Sequence, residues 1–178
     1  RKLARFTMTG GEIIGGTATS GGSIEVQGAM IMNGGTITGG HSKTEGGNIR
    51  VYLININDEN GVNEVVSTFT MNGGLITKGT SDGTSGNLHT YGITTLVAGS
   101  ITDGEAAKTG GNIRPFRPGT LIIEKDFVVS GGKAGTQGGN ISLGGTDNAT
   151  AYRHITDVVI KGSVINGTAA TNGGNVYL

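Results

Sequence analysis

The chain has 178 residues, of which 36 are glycine, 2 are proline and none is cysteine. Its 13 basic and 13 acidic residues balance, which argues against a nucleic-acid surface. No apolar run reaches the roughly 20 residues that a membrane-spanning helix needs. We therefore expect neither nucleic acid nor a membrane span in this segment, and the lack of cysteine excludes disulfides and thiol chemistry.

The glycines belong to a repeat that runs along the chain. Its clearest unit is Gly46-Gly47-Asn48-Ile49, which recurs at 110–113 and 138–141, with variants at 21–24, 85–88 and 173–176. The second glycines of the six copies stand at 22, 47, 86, 111, 139 and 174. This spacing indicates a period near 25 residues with insertions. A second unit, Met8-Thr9-Gly10-Gly11, precedes the first and is matched at 32–35 and 71–74.

Each repeat predicts three short strands separated by turns, which in the second repeat are 30–32, 36–38 and 48–51. The alternation of apolar and polar residues in 24–26 and 49–51 is typical of half-buried strands. Three strands per turn of about 25 residues predict a right-handed parallel β-helix of about six rungs, stacked about 4.8 Å apart. We expect residues 1–178 to form a single segment of a longer solenoid.

One asparagine position recurs in five of the six repeats. A row of stacked carboxamides along the solenoid, each hydrogen-bonded to the next, explains this recurrence. The alternative is turn propensity alone, because asparagine tolerates a left-handed backbone. In either case the role is structural, and the residues are Asn48, Asn87, Asn112, Asn140 and Asn175.

Two insertions interrupt the repeat, at 52–67 and at 144–157. Both follow a Gly-Gly-Asn-Ile strand, so we expect them to emerge on the same edge of the rod. Aromatic and arginine side chains, which are favoured in recognition surfaces, concentrate on that edge. Solvated loops without a ligand are the alternative. The candidate ligand- or partner-binding residues are Tyr52, Asp58, Glu59, Tyr91, Arg114, Phe116, Arg117, Tyr152 and Arg153.

No catalytic, metal or cofactor site is expected. The acidic residues are scattered and do not form the paired carboxylates that glycoside cleavage uses. The three histidines, His41, His89 and His154, occupy different parts of their repeats, which argues against a shared metal site.

The repeats at 6–51 and 69–77, with Phe69-Thr70-Met71-Asn72-Gly73-Gly74 as an example, resemble those of large bacterial surface proteins with glycine-rich β-helices. That group is similar to the pectate-lyase-like superfamily, which includes adhesins and polymorphic outer-membrane proteins. The resemblance implies an extracellular or cell-surface location and a non-enzymatic structural or adhesive rod, with glycans or surface proteins as partners. Two alternatives stay open: a self-assembling filament subunit that stacks end to end, and a carbohydrate-binding or carbohydrate-cleaving β-helix.

Overall fold

The computed structural model describes residues 4–58, 61–116, 119–143 and 157–178. All regular secondary structure in these ranges is β-strand, and they contain no helix. The prediction of an all-β chain is therefore confirmed. The physical reason is the sequence itself, in which β-branched residues alternate with polar ones between closely spaced glycines.

The strands follow one another in six coils. The first contains Ala4–Met8 (β1), Glu12–Ile14 (β2), Thr17–Ser20 (β3) and Ile24–Val26 (β4). The second contains Gly28–Met32 (β5), Thr36–Thr38 (β6), His41–Glu45 (β7) and Ile49–Val51 (β8), followed by a hairpin of Ile54–Asp58 (β9) and Gly61–Val65 (β10). The third contains Thr68–Met71 (β11), Leu75–Thr77 (β12), Thr80–Ser81 (β13) and Leu88–Thr90 (β14).

In the fourth and fifth coils the first two strands merge into one long strand. The fourth contains Ile93–Thr102 (β15), Glu105–Ala106 (β16) and Ile113–Pro115 (β17). The fifth contains Thr120–Ser130 (β18), Lys133–Ala134 (β19) and Ile141–Ser142 (β20). The sixth returns to four strands, Asp157–Ile160 (β21), Ser163–Ile165 (β22), Thr168–Ala169 (β23) and Val176–Tyr177 (β24).

Equivalent strands of successive coils pair in parallel and form four rows. The first row (β1, β5, β11, β21) and the second (β2, β6, β12, β22) join into one sheet of 10 strands, because β15 and β18 run through both rows. The third row is β3-β7-β13-β16-β19-β23 and the fourth is β4-β8-β14-β17-β20-β24. The described strands therefore form three parallel sheets that wrap around a common core, as in a solenoid. Antiparallel pairing occurs in the β9–β10 hairpin.

The coil has four strand positions rather than the predicted three. The third row was missed because its strands are short and mostly polar. Its inward position carries only alanine or serine in every coil, at Ala18, Ser42, Ser81, Ala106, Ala134 and Ala169. Such residues give no apolar alternation, which is the signal that identifies strands in a sequence.

The core is a continuous column of aliphatic, methionine and phenylalanine side chains. Alternate residues of the first, second and fourth rows point inward, so each coil stacks its apolar residues on those of its neighbours. Ile37, Ile76 and Ile101 stack in register along the second row, and all three are fully buried. Burial of such a side chain stabilises the fold by about 1.5–3 kcal/mol.

The five repeated asparagines lie inside the coil, where they form an unbroken row of hydrogen bonds. The Nδ2 atom of each asparagine donates to the Oδ1 atom of the next over 2.7 Å, 2.7 Å, 2.7 Å and 2.9 Å, in the order Asn48, Asn87, Asn112, Asn140 and Asn175. Asn112 also accepts from the Gly104 backbone N–H over 2.8 Å and donates to the Ser130 carbonyl over 2.8 Å. The Asn112 amide thus connects two positions along the path of the chain, Gly104 and Ser130, and also connects its own coil to the coils on either side.

The left-handed residue of this corner is not the asparagine. The residue two positions before it has a positive φ, which is 64° at Gly46 and 67° at Gly110. The third coil places Ser85 there, with a φ of 60°. The explanation of the asparagines by their tolerance of a left-handed backbone is therefore wrong, because these residues do not adopt that conformation.

Replacing a central asparagine should destabilise the fold far more than replacing the last one. Asn112 is fully buried, and Asn112→Ala removes the side-chain partner of the Gly104 N–H and one hydrogen bond each from the Ser130 carbonyl, Asn87 and Asn140. We expect a loss of about 3–5 kcal/mol in the free energy of unfolding, measured by urea denaturation. Asn175 is exposed, so Asn175→Ala should lose about 1 kcal/mol. Equal losses would contradict a structural role for the row.

Candidate functional site

The outer face of the fourth row carries a column of polar side chains, three of them charged. The parallel register aligns Glu25, Arg50, His89 and Arg114 on neighbouring strands. Each stands between two inward-facing residues, as Arg50 does between the buried Ile49 and Val51, so its side chain points away from the core. His89 and Arg114 are nevertheless buried, with 0% and 4% of their surface exposed.

Aromatic rings and one acidic residue cover this column. The rings belong to residues at the ends of the fourth-row strands, where the chain turns back into the first row, and the carboxylate is Glu45 at the end of β7. We call the set the arginine–aromatic cluster. Its members are Glu25, Glu45, Arg50, Tyr52, His89, Tyr91, Arg114 and Phe116.

Arg50 is the charge centre of the cluster. Its Nη1 atom lies 3.2 Å from Oε2 of Glu25, and its Nε atom lies 3.0 Å from Oε2 of Glu45. Its guanidinium carbon lies 4.0 Å from the centre of the Tyr52 ring, a cation–π contact. Burial alone lowers the pKa of Arg50, but the two carboxylates outweigh it and raise the pKa above its ordinary value. Arg50 therefore stays charged and holds the two glutamates in fixed positions.

Tyr91 connects the charged and the aromatic parts of the cluster. Its hydroxyl donates to Oε1 of Glu45 over 2.8 Å. Its ring lies 5.4 Å from that of Tyr52 and 5.2 Å from that of Phe116, edge to face in both cases. Burial, together with the negative charge of Glu45, raises the pKa of Tyr91 above its ordinary value. The hydroxyl is thus a permanent donor to Glu45.

His89 is fully buried behind these rings, with its ring 4.9 Å from that of Tyr91. Oγ of Ser85 lies 3.1 Å from its Nδ1 atom, and Oε2 of Glu45 lies 4.0 Å from its Nε2 atom. Burial lowers the pKa of His89 well below its ordinary value, and the positive charges of Arg114 and Arg50 lower it further. His89 is therefore neutral at pH 7.

One set of contacts in the cluster resembles a catalytic triad, with Ser85 as the nucleophile, His89 as the base and Glu45 as the carboxylate. A substrate, however, cannot reach it. Ser85 and His89 have no exposed surface, so a carbonyl carbon cannot reach the hydroxyl. The lowered pKa of His89 also makes it a poor acceptor for the serine proton. The three groups hold the corner of the third coil together, where Ser85 replaces the glycine of the other coils.

The structure brings together four of the residues that the sequence singles out for binding. Tyr52, Tyr91 and Phe116 form the aromatic part of the cluster, and the Arg114 guanidinium carbon lies 4.6 Å from the centre of the Phe116 ring. Asp58 ends strand β9 of the hairpin. The remaining four candidates, Glu59, Arg117, Tyr152 and Arg153, lie outside the described residues.

Sequence reasoning missed the polar half of the cluster, namely Glu25, Glu45, Arg50 and His89. A signal was present, because Glu25, Arg50, His89 and Arg114 all follow the apolar residue of the Gly-Gly-Asn-Ile unit or its variants. Parallel stacking must place such residues side by side. The alternation of apolar and polar residues predicts only that this position faces outward, whereas the structure also buries His89 and Arg114 there, close to the rings of Tyr91 and Phe116.

The Tyr91 hydroxyl should contribute to stability through Glu45. Tyr91→Phe removes one hydrogen bond to a charged group, so we expect the free energy of unfolding to fall by about 2 kcal/mol, measured by urea denaturation. Tyr52→Phe is the matched control in the same cluster, because its ring remains against Arg50, and it should change stability by less than about 0.5 kcal/mol. An unchanged stability in Tyr91→Phe would mean that the hydroxyl contributes nothing to the cluster.

Stability should fall as the solution is acidified from pH 7.5 to 5.5. His89 stays neutral in the folded chain, whereas in the unfolded chain it takes up a proton near pH 6.5. The unfolded state therefore binds more protons, and His89 should account for about 1.4 kcal/mol of lost stability across this range.

Urea denaturation at each pH tests this. His89→Gln should remove that part of the pH dependence, while His41→Gln, at the half-exposed His41 beside Asp82, should leave it in place. If the pH dependence of His89→Gln equals that of the parent chain, His89 is not the group responsible.

No group of three histidine or acidic residues in the described part of the chain could hold a metal ion. The same residues include no helix that is long and apolar enough to cross a membrane. The chain matches no family model, no curated protein and no solved structure.

Proposed function

We propose that this chain is a stretch of right-handed parallel β-helix that serves as a non-enzymatic structural and adhesive segment of an extracellular surface protein. The observation that carries the proposal is the row of asparagine amides, continuous from Asn48 to Asn175. A hydrogen-bonded row inside a stacked apolar core resists both bending and separation of coils. A stiff spacer between a cell and its surroundings needs these properties.

Handedness is the part of the proposal that rests on general stereochemistry. The strands are short and parallel, and each returns to its own row after one circuit. Crossovers between parallel strands of one sheet are right-handed in about 98% of cases. The right-handed form is therefore the one proposed.

The adhesive part of the proposal rests on where the unusual side chains lie. The arginine–aromatic cluster and the hairpin of β9 and β10 both follow the fourth row, on one edge of the rod. Tyr52 joins the two, since it belongs to the cluster and precedes the hairpin, and 37% of its surface is exposed. Loops on a rigid scaffold are the usual place for recognition.

A polysaccharide-cleaving role is the weaker candidate. Such enzymes use two carboxyl groups on either side of one glycosidic bond. Asp82 follows β13 and lies 3.5 Å from His41, whereas Asp103 lies between β15 and β16, at another corner of the coil. Glu25 and Glu45 are both held by Arg50. These positions favour structural over catalytic roles for the described carboxylates.

Single-molecule stretching tests the structural role. The chain, held between two handles, should resist force and then lengthen in steps of about 85 to 135 Å, the extended lengths of coils of about 25 to about 39 residues. Asn112→Ala should lower the force at which the steps begin, while Asn175→Ala should leave it nearly unchanged. Smooth extension at low force would contradict a stiff rod.

Two further measurements decide between the proposal and its alternatives. Gel filtration and negative-stain imaging should show a monomer, and fibres that grow with concentration would favour the filament. A degradation screen against polysaccharides should give no products. Products that disappear in Asp103→Ala would replace the proposal with an enzyme.

A further inference from the structure

A second pair of asparagines stacks on the outside of the rod, at the corner between the first and second rows. Asn33 follows β5 and Asn72 follows β11, and both residues are exposed. The Nδ2 atom of Asn72 donates to the Oδ1 atom of Asn33 over 2.8 Å. We call these two residues the outer asparagine pair. Unlike the buried amides of the inner row, the carboxamides of the outer pair are in contact with water.

Each member of the pair is followed by glycine, a sequence that favours spontaneous deamidation. The glycine backbone nitrogen attacks Cγ of the asparagine, and the new C–N bond closes a cyclic imide. The side-chain nitrogen leaves as ammonia and takes the glycine proton with it. Water then opens the imide to aspartate or isoaspartate and restores the N–H. Glycine lacks the Cβ atom that hinders this attack in other residues. The chain contains Asn-Gly at 33–34, 60–61, 72–73, 166–167 and 172–173.

The attacking nitrogen is available at the outer pair and held elsewhere. The N–H groups of Gly34 and Gly73 make no hydrogen bond with the described residues. Asn166 is equally exposed, but the Gly167 N–H donates to the Oδ1 atom of Asn175 over 2.8 Å. That nitrogen must give up its hydrogen bond before it can turn towards Cγ of Asn166. The structure therefore separates Asn-Gly pairs that the sequence does not distinguish.

The hydrogen bond within the outer pair couples its two members. Once Asn33 is converted, its carboxylate accepts from Nδ2 of Asn72, and such a charge-assisted bond is stronger than one between two neutral amides. Conversion of Asn72 would then remove the donor and place two negative charges on neighbouring coils, about 4.8 Å apart. Like charges at that distance disfavour each other.

We propose that Asn33 and Asn72 are sites of spontaneous deamidation, and that conversion of one slows conversion of the other. The inference goes beyond the proposed function, because it concerns how the rod changes with age. Each conversion adds a negative charge to a chain whose net charge is zero. The inner row is spared, since Asn87 and Asn112 are fully buried and are followed by leucine and isoleucine.

Peptide mapping by mass spectrometry tests the proposal on the folded chain, incubated at mildly alkaline pH. The exchange of an amide for a carboxyl group identifies each converted site. Asn33 and Asn72 should convert about fivefold faster than Asn166, the effect of one hydrogen bond on the attacking nitrogen. In urea, which also frees the Gly167 N–H, all three should convert at similar rates. This comparison separates the effect of the fold from that of the sequence.

Gly73→Ala tests the attack itself. Gly73 does not have a positive φ, and an added Cβ would lie 3.0 Å from the Asn33 carbonyl oxygen, so the variant should fold after a small shift. Conversion of Asn72 should slow about tenfold because the Cβ hinders the approach of the nitrogen. The circular dichroism spectrum and the thermal midpoint report whether the variant is folded.

Asn33→Asp tests the coupling, because it reproduces the first conversion. It should slow the conversion of Asn72 about threefold, as expected for one exposed charge interaction. Asn166→Asp introduces the same charge at a corner of the sixth coil and should leave Asn72 unaffected.

Three results would overturn the proposal. The first is equal conversion of Asn33, Asn72 and Asn166 in the folded chain. The second is an outer pair that stays intact when folded but converts in urea, which would mean that its turns are held too rigidly for the attack. The third is an unchanged rate at Asn72 in Asn33→Asp, which would remove the coupling.

Discussion

Each buried asparagine amide makes hydrogen bonds with four groups at one corner of the solenoid. For Asn112 these are the Gly104 N–H of its own coil, the Ser130 carbonyl of the next coil, which also accepts from the Asp103 N–H, and the amides of Asn87 and Asn140. A sharp corner of a solenoid leaves such groups facing the interior, where water cannot reach them. One carboxamide with two donors and two lone pairs satisfies all of them.

The space for that amide comes from the glycines around it. At Gly47 a Cβ atom would run into the Gly86 carbonyl of the next coil and the Thr80 carbonyl, so any side chain there would push two coils apart. The same close approach recurs at Gly111 against Gly139. The stacking of the coils therefore depends on the glycines, because neighbouring coils come close enough for the asparagine row to form only where side chains are absent.

The outer side of the same corner carries the polar features of the rod. Glu45 immediately precedes the left-handed Gly46 and reaches Arg50 of the following strand. In the next coil, Ser85 takes the left-handed position and contacts His89. The cluster therefore stands on backbone that the asparagine row holds rigid. Preorganised side chains of this kind lose little entropy when they bind a ligand.

The sequence predicts the parts of this structure that depend on strict repetition. The period, the parallel stacking and the shared position of the asparagines all follow from the recurrence of Gly-Gly-Asn-Ile. The aromatic half of the cluster also follows, because Tyr52, Tyr91 and Phe116 stand just after fourth-row strands. The third row could not be found, since Ser42 or Ala106 gives no apolar signal at an inward position. The burial of His89 depends on the Tyr91 ring two residues later and also on the Phe116 ring of the next coil, which only the stacking of coils brings close.

The connection from the fourth row back to the first differs greatly in length between coils. It is Gln27 alone after β4 and residues 91–92 after β14, yet it expands to the whole segment 52–67 after β8. The strands on either side pair in register in each of these cases. The stack therefore accommodates inserted residues at this edge without a change in strand register. A foreign peptide grafted between Tyr91 and Gly92, with both residues kept, would inherit a fixed orientation while the paired strands on either side keep their register.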